Sequence, residues 1–134
     1  MASIDSFVKN TLEGVSGLGP GHVAAVEQMT GVSSPFSAFS RQSWDEEKAL
    51  DGFTGLQSAG FDLDIVAGSV AAVAVIEAMV ISAFRAKQQT TADGLLIESV
   101  DIRQVSPDLR EINIGQFRRA YDLQINFQEL ITNE

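Results

Sequence analysis

Cysteine is absent from the 134 residues. Its absence excludes disulfides, thiolate metal centres and cysteine nucleophiles, and fits assembly in a reducing cytoplasm. Histidine occurs once, at His22 beside Gly21, and no Gly-x-Ser-x-Gly surrounds any serine. A hydrolytic set of nucleophile, base and orienting acid is therefore missing, and His22 reads as a surface side chain. Cations are scarce, with nine Lys and Arg against eighteen Asp and Glu, a net charge of −9 and a pI of about 4.4. Such a chain lacks the clustered Lys and Arg that grip phosphates, although an acidic surface can surround nucleic acid by repelling it. Long apolar runs are missing as well. Val70 to Phe84 falls short of the roughly 20 residues a membrane span needs and carries Glu77 at its middle, so it reads as a buried core helix. Met1-Ala2-Ser3-Ile4-Asp5 has neither the basic region nor the apolar run of a signal peptide.

What is present is a core. Hydrophobic residues make up 45% of the chain, enough for one domain over 1–134. Its organising stretch is Ala59 to Lys87. Phe61, Leu63 and Ile65 alternate with Asp62 and Asp64, the period of a strand with one apolar and one acidic face. Gly68 ends the alternation and Ser69 can cap a helix. Val73, Ile76, Val80 and Phe84 then follow at helical spacing.

Before this stretch, Ser3 to Glu13 predicts an amphipathic helix with Ile4, Phe7, Val8 and Leu12 on one face. Gly14 to Gly21 predicts a loop, and His22 to Met29 suits a strand or short helix, with the strand favoured. Phe36 to Ser43 predicts a strand with Phe39 on one side and Phe36 and Ala38 on the other. Trp44 to Ser58 reads as a polar loop between two hairpin arms, carrying Asp45-Glu46-Glu47 and the apolar Trp44, Leu50, Phe53 and Leu56. After the helix, Gln88 to Gly94 is polar and Leu95 to Arg103 predicts a strand. A turn follows at Val105 to Arg110, then a short strand at Glu111 to Ile114. Tyr121, Leu123, Ile125 and Phe127 alternate with polar residues in a last, half-buried strand that Arg118-Arg119 enter. The expectation is an α+β fold: a small antiparallel or mixed sheet with a long central helix and an N-terminal helix packed on one face.

Candidate chemistry is sparse. Asp62 and Asp64 share a strand face and could hold a hard cation, but without a third acid nearby they read as an exposed sheet face. Gly14, Gly17, Gly19 and Gly21 lack the Gly-Lys-Ser/Thr of a phosphate loop. Arg118 and Arg119 read as partners for acids within the subunit or on a neighbour. No catalytic residue, metal site or cofactor is expected, which leaves a binding or structural role.

Three stretches in order resemble the tail-terminator (tail-completion) proteins of long-tailed bacteriophages and prophages. They are Pro35-Phe36-Ser37-Ala38-Phe39 with the loop to Leu50-Asp51-Gly52; Gly60-Phe61-Asp62-Leu63-Asp64-Ile65-Val66-Ala67 running into the Ala/Val-rich helix; and Gly115-Gln116-Phe117-Arg118-Arg119-Ala120-Tyr121-Asp122-Leu123-Gln124-Ile125. The similarity spans Pro35 to Leu130. It implies a virion protein, assembled in the host bacterial cytoplasm, whose ring, usually a hexamer, sits at the head-proximal end of the tail tube. The ring stops tube polymerisation, meets the major tail-tube protein and the head–tail connector, and lets DNA pass.

Two site expectations follow. Trp44, Leu50, Phe53, Leu56, Arg118 and Arg119 are candidates for a subunit or tail-tube interface, the alternative for Trp44 and Phe53 being return to their own core. Asp45, Glu46, Glu47, Asp62 and Asp64 are candidates for an acidic channel lining. Competing readings are a connector or other minor tail protein, and a small dimeric ligand-binding α+β protein; the residue inventory gives an enzyme little support.

Overall fold

The alternating stretches become the spine of one seven-stranded sheet. The computed structural model describes residues 3–15, 18, 23–25, 35–49, 52–111 and 116–129. In chain order the elements are α1 (Ile4–Glu13), β1 (Val23–Ala25), β2 (Phe36–Ala49), β3 (Gly52–Ala67), α2 (Val70–Arg85), β4 (Thr90–Ala92), β5 (Leu95–Gln104), β6 (Leu109–Glu111) and β7 (Gln116–Glu129). The strand order is β1-β2-β3-β7-β5-β4, and β6 pairs with the part of β7 that β5 leaves uncovered. Only β1–β2 is parallel.

The expected small sheet around a long central helix does not form. β3 has 16 residues, about 50 Å of extended chain, whereas the 16 residues of α2 rise only about 24 Å. The sheet is the organiser, and two short helices lie across one of its faces. The discrepancy begins at Trp44–Ser58. The acidic run and glycines there suggested a loop, yet β2 and β3 stay paired out to Ala49 and Gly52. Cross-strand pairing overrides weak local preference, as strand propensity depends on context. Arg118 and Arg119 lie inside β7, paired with Val66 and Ile65 of β3, and Gln88–Gly94 contributes β4. Positions 112–114 of the expected short strand lie outside the described residues, as does His22.

The helices follow their stripes. The Ser3 and Ser69 hydroxyls accept from the Ser6 and Ala72 amides at 3.4 and 3.1 Å, each cap supplying one donor's missing partner. Ile4, Phe7, Val8 and Leu12 of α1 and Val73, Ile76, Val80 and Phe84 of α2 are buried. Phe7 meets Phe84 edge-on at 6.1 Å. Both stripes close over Phe61, Leu63 and Ile65 of β3 and Tyr121, Leu123 and Ile125 of β7 in one core. Each fully buried side chain of this size contributes about 1.5–3 kcal/mol, which holds the helices to one side and leaves most of the other to polar residues.

Candidate assembly surfaces

On the face away from the helices, cross-strand register sets side chains in rows. Ser40, Asp62, Asp122 and Arg103 form one row across β2, β3, β7 and β5; Asp45, Ser58, Asn126 and Ser99 form another. Arg103 pairs with Asp122 at 3.3 Å. The Gln124, Asn126 and Gln128 amides donate to Ser58 Oγ, Ser99 Oγ and Glu98 Oε1 at 2.9, 2.8 and 3.1 Å. Asp62 is exposed and Asp64 half-buried. Burial pushes the Asp64 carboxyl above the usual carboxylate range, with Arg118 opposing the shift and Asp62 adding to it. An open trough of about 710 Å³ lies at the hairpin end of the sheet, with Asp45, Glu46 and Glu98 among its walls. At the opposite end Phe36, Ala38 and Val66 are buried on the same face, apart from the main core.

The β2–β3 hairpin carries the expected aromatic contact residue. Trp44 lies opposite Ala59 and is 46% exposed. Its indole N–H donates to Gln57 Oε1 at 2.9 Å, so the ring is oriented without being covered. Leu56 is half-buried, and Asp45 and Glu46 are exposed. Leu50 lies outside the described residues, as do the side chains of Glu47 and Phe53.

Strand alternation sends the two adjacent arginines to opposite faces. Arg118 lies on the polar face near Asp64. Arg119 turns towards the helices, with only 11% of its side chain exposed, and is held at both ends: Nε to Asp108 at 2.6 Å and Nη1 to Glu77 of α2 at 3.0 Å. The Tyr121 hydroxyl donates to the other Glu77 oxygen at 2.8 Å. The hydrogen bond that Arg119 donates to Asp108, followed by the one to Glu77 and that carboxylate's charge, holds the guanidinium well above its ordinary value. Arg119 in turn lowers the Asp108 carboxyl. Burial, reinforced by Glu77, raises the Tyr121 phenol. Sequence reasoning missed Glu77, Asp108, Tyr121 and Gln57 as members of any site. The one available signal was Glu77, a lone charge in an apolar helix. Among the described residues, no three Asp, Glu or His side chains are grouped as metal ligands.

Among the described residues, the arrangement combines polar rows, an exposed indole and an ion-paired arginine. No protein-family model and no curated protein matches the chain. A virion chain shares this fold. It comes from the virion of a native gene transfer agent particle and superposes with a TM-score of 0.59 at 12% identity, covering 94% of this chain and 95% of that one. At that identity the likeness shows the fold alone. A second solved chain, with a TM-score of 0.41 at 13% identity over 98% of this chain and 90% of that one, carries no argument.

Proposed function

We propose that this chain is a structural, non-enzymatic virion protein of the tail-terminator type. Copies close a ring, taken as a hexamer, on the head-proximal end of the tail tube. The ring stops tube growth, meets the connector and lets DNA through. The observation that carries the reading is the two-faced sheet: helices cover one side, and the other presents Asp62, Asp64, Asp122 and Asp101 with hydroxyl and amide side chains. That polar side suits a channel through which a polyanion must slide without sticking. The virion chain that shares the fold supports a place in a particle, and the exposed Trp44 supports an anchored contact with a neighbouring copy or the tube. Ring closure needs heterologous contacts, which a sheet with two different edges can provide.

Light scattering of the purified protein, with negative-stain images of it alone and mixed with tail tubes, tests the proposal. Rings, alone or on tube ends, are expected. A protein that remains a single subunit at high concentration and ignores tubes overturns it. The virion likeness supports a head–tail connector equally. The two separate by gene order: a terminator is encoded just before the major tail-tube protein.

A further inference from the structure

The two edges of the sheet are unequally protected. β4 pairs only with Leu95–Ile97 of β5, so the rest of that strand's outer edge lacks a strand partner among the described residues. Its first part is nevertheless blocked. The Val100 N–H donates to Gln88 Oε1 at 3.0 Å, and Gln89 Nε2 donates to the Glu98 carbonyl at 2.7 Å. Both glutamines lie in the turn after α2, beyond Ala86 and Lys87. The Gln88 N–H bonds Arg85 O at 3.2 Å and the Gln89 N–H bonds Ile97 O at 2.7 Å, with Gln89 at φ 62°. A non-glycine residue at positive φ is uncommon, and here Gln89 bonds two successive β5 carbonyls, Ile97 O through its backbone and Glu98 O through its side chain. Antiparallel pairing alternates the direction of backbone groups. Because the Val100 N–H points outward, those of Ile102 and Gln104 point outward too.

At the far side of the sheet, β1 pairs only with Ser37–Phe39, and among the described residues no strand lines β2 beyond them. β2 is antiparallel to β3, β3 to β7, and β7 to β5. β2 is therefore antiparallel to β5, and a β2 edge laid against β5 continues the sheet's alternation. The two edges stand three strand spacings apart, about 14 Å, so only a second copy can bring them together.

We infer that Gln88 and Gln89 guard the outer edge of β5, and that the β2 edge of a second copy pairs there once they are displaced. The inference rests on the ring reading and adds its control. Uncapped edges invite premature pairing; a side-chain cap makes the free subunit reluctant without abolishing the site. In the free protein the guard satisfies two backbone groups that pairing would use, so each contact forgoes the net worth of those bonds.

The test is sedimentation of the full chain over a range of concentrations, for wild type, Gln88→Ala, and Gln88→Ala/Gln89→Gly, the glycine accepting the positive φ. Removing the guard is expected to lower the concentration for half-association about tenfold, equivalent to one or two net hydrogen bonds. Gln88→Glu retains the acceptor and should associate as wild type does. Ile102→Pro removes an outward N–H and should cancel the gain in the double variant. Hydrogen exchange at Val100 should quicken in free Gln88→Ala, an effect measurable in the single variant even if the double variant folds poorly. Unchanged association in Gln88→Ala beside an associating wild type overturns the guard and leaves the ring standing. A gain that survives Ile102→Pro overturns the edge as its site. If no variant associates and none caps a tail tube, the ring reading falls and the guard with it.

Discussion

Arg119 shows how much a single side chain organises here. It joins β7 to α2 through Glu77 and to the β5–β6 connection through Asp108. Replacing one member of a buried charge group leaves the others unpaired, which costs about 3–5 kcal/mol when water is fully excluded. Glu77 and Asp108 are 23% and 35% exposed, so Arg119→Met is expected to cost about 1–3 kcal/mol, read from urea midpoints. The Tyr121 phenol titrates higher folded than its ordinary value of 10.0. Its contribution is complete below about pH 10 and lost as pH rises through the raised folded value. The thermal midpoint should hold up to about pH 10 and fall above it, and Tyr121→Phe should flatten that fall. Asp64 also titrates above its ordinary value, 3.8, chiefly through burial. Its stabilising increment is present below pH 3.8 and lost as pH climbs through the raised folded value. At pH 7 the charged carboxylate opposes folding, so Asp64→Asn should melt above wild type there, the gap narrowing on acidification.

Among the elements, the hairpin is where sequence and structure diverge most. The stripes of α1 and α2 were legible because burial on one side leaves a local period of three to four residues. Val73, Ile76, Val80 and Phe84 are the buried face of α2. The last strand was legible for the same reason at period two, and its acidic and amide side chains do face away from the helices. β2 beyond Ser43 was not legible, because Asp45-Glu46-Glu47 has no alternation and gains its order from β3. A register shift after Arg41 also breaks the phase of the pattern. The proportions of the fold went wrong with it, since a loop was expected where both long strands continue. The Glu77–Arg119 pairing was hidden for another reason: 42 positions separate the partners, and only folding sets them together. Because Trp44 stands on the extended hairpin with its indole fixed by Gln57, Trp44→Ala should shift the monomer's melting little. It should weaken self-association or tube binding by at least about tenfold, the cost of losing an aromatic anchor. Collapse of the monomer instead would make Trp44 a folding residue.

For the whole molecule, charge and shape act together. Six copies at −9 would carry about −54 before screening, a field felt over roughly 8–10 Å at physiological salt. If the polar sheet face lines the passage, Asp62→Lys with Asp45→Lys should slow DNA ejection from assembled particles, most at low salt; ejection at the wild-type rate would count against that lining. A last consequence concerns the seating of α2. Apart from the Phe84 ring on Phe7, the valines and alanines laid on leucine and isoleucine define little of an origin along the helix axis, and for them a slip of one turn, about 5.4 Å, would exchange one greasy contact for a similar one. Glu77 is the only ionic side chain between Val70 and Phe84, and its two oxygens are taken by Arg119 and Tyr121. That latch marks where the helix stops, so each copy would bring the same outline to the closed circle proposed above.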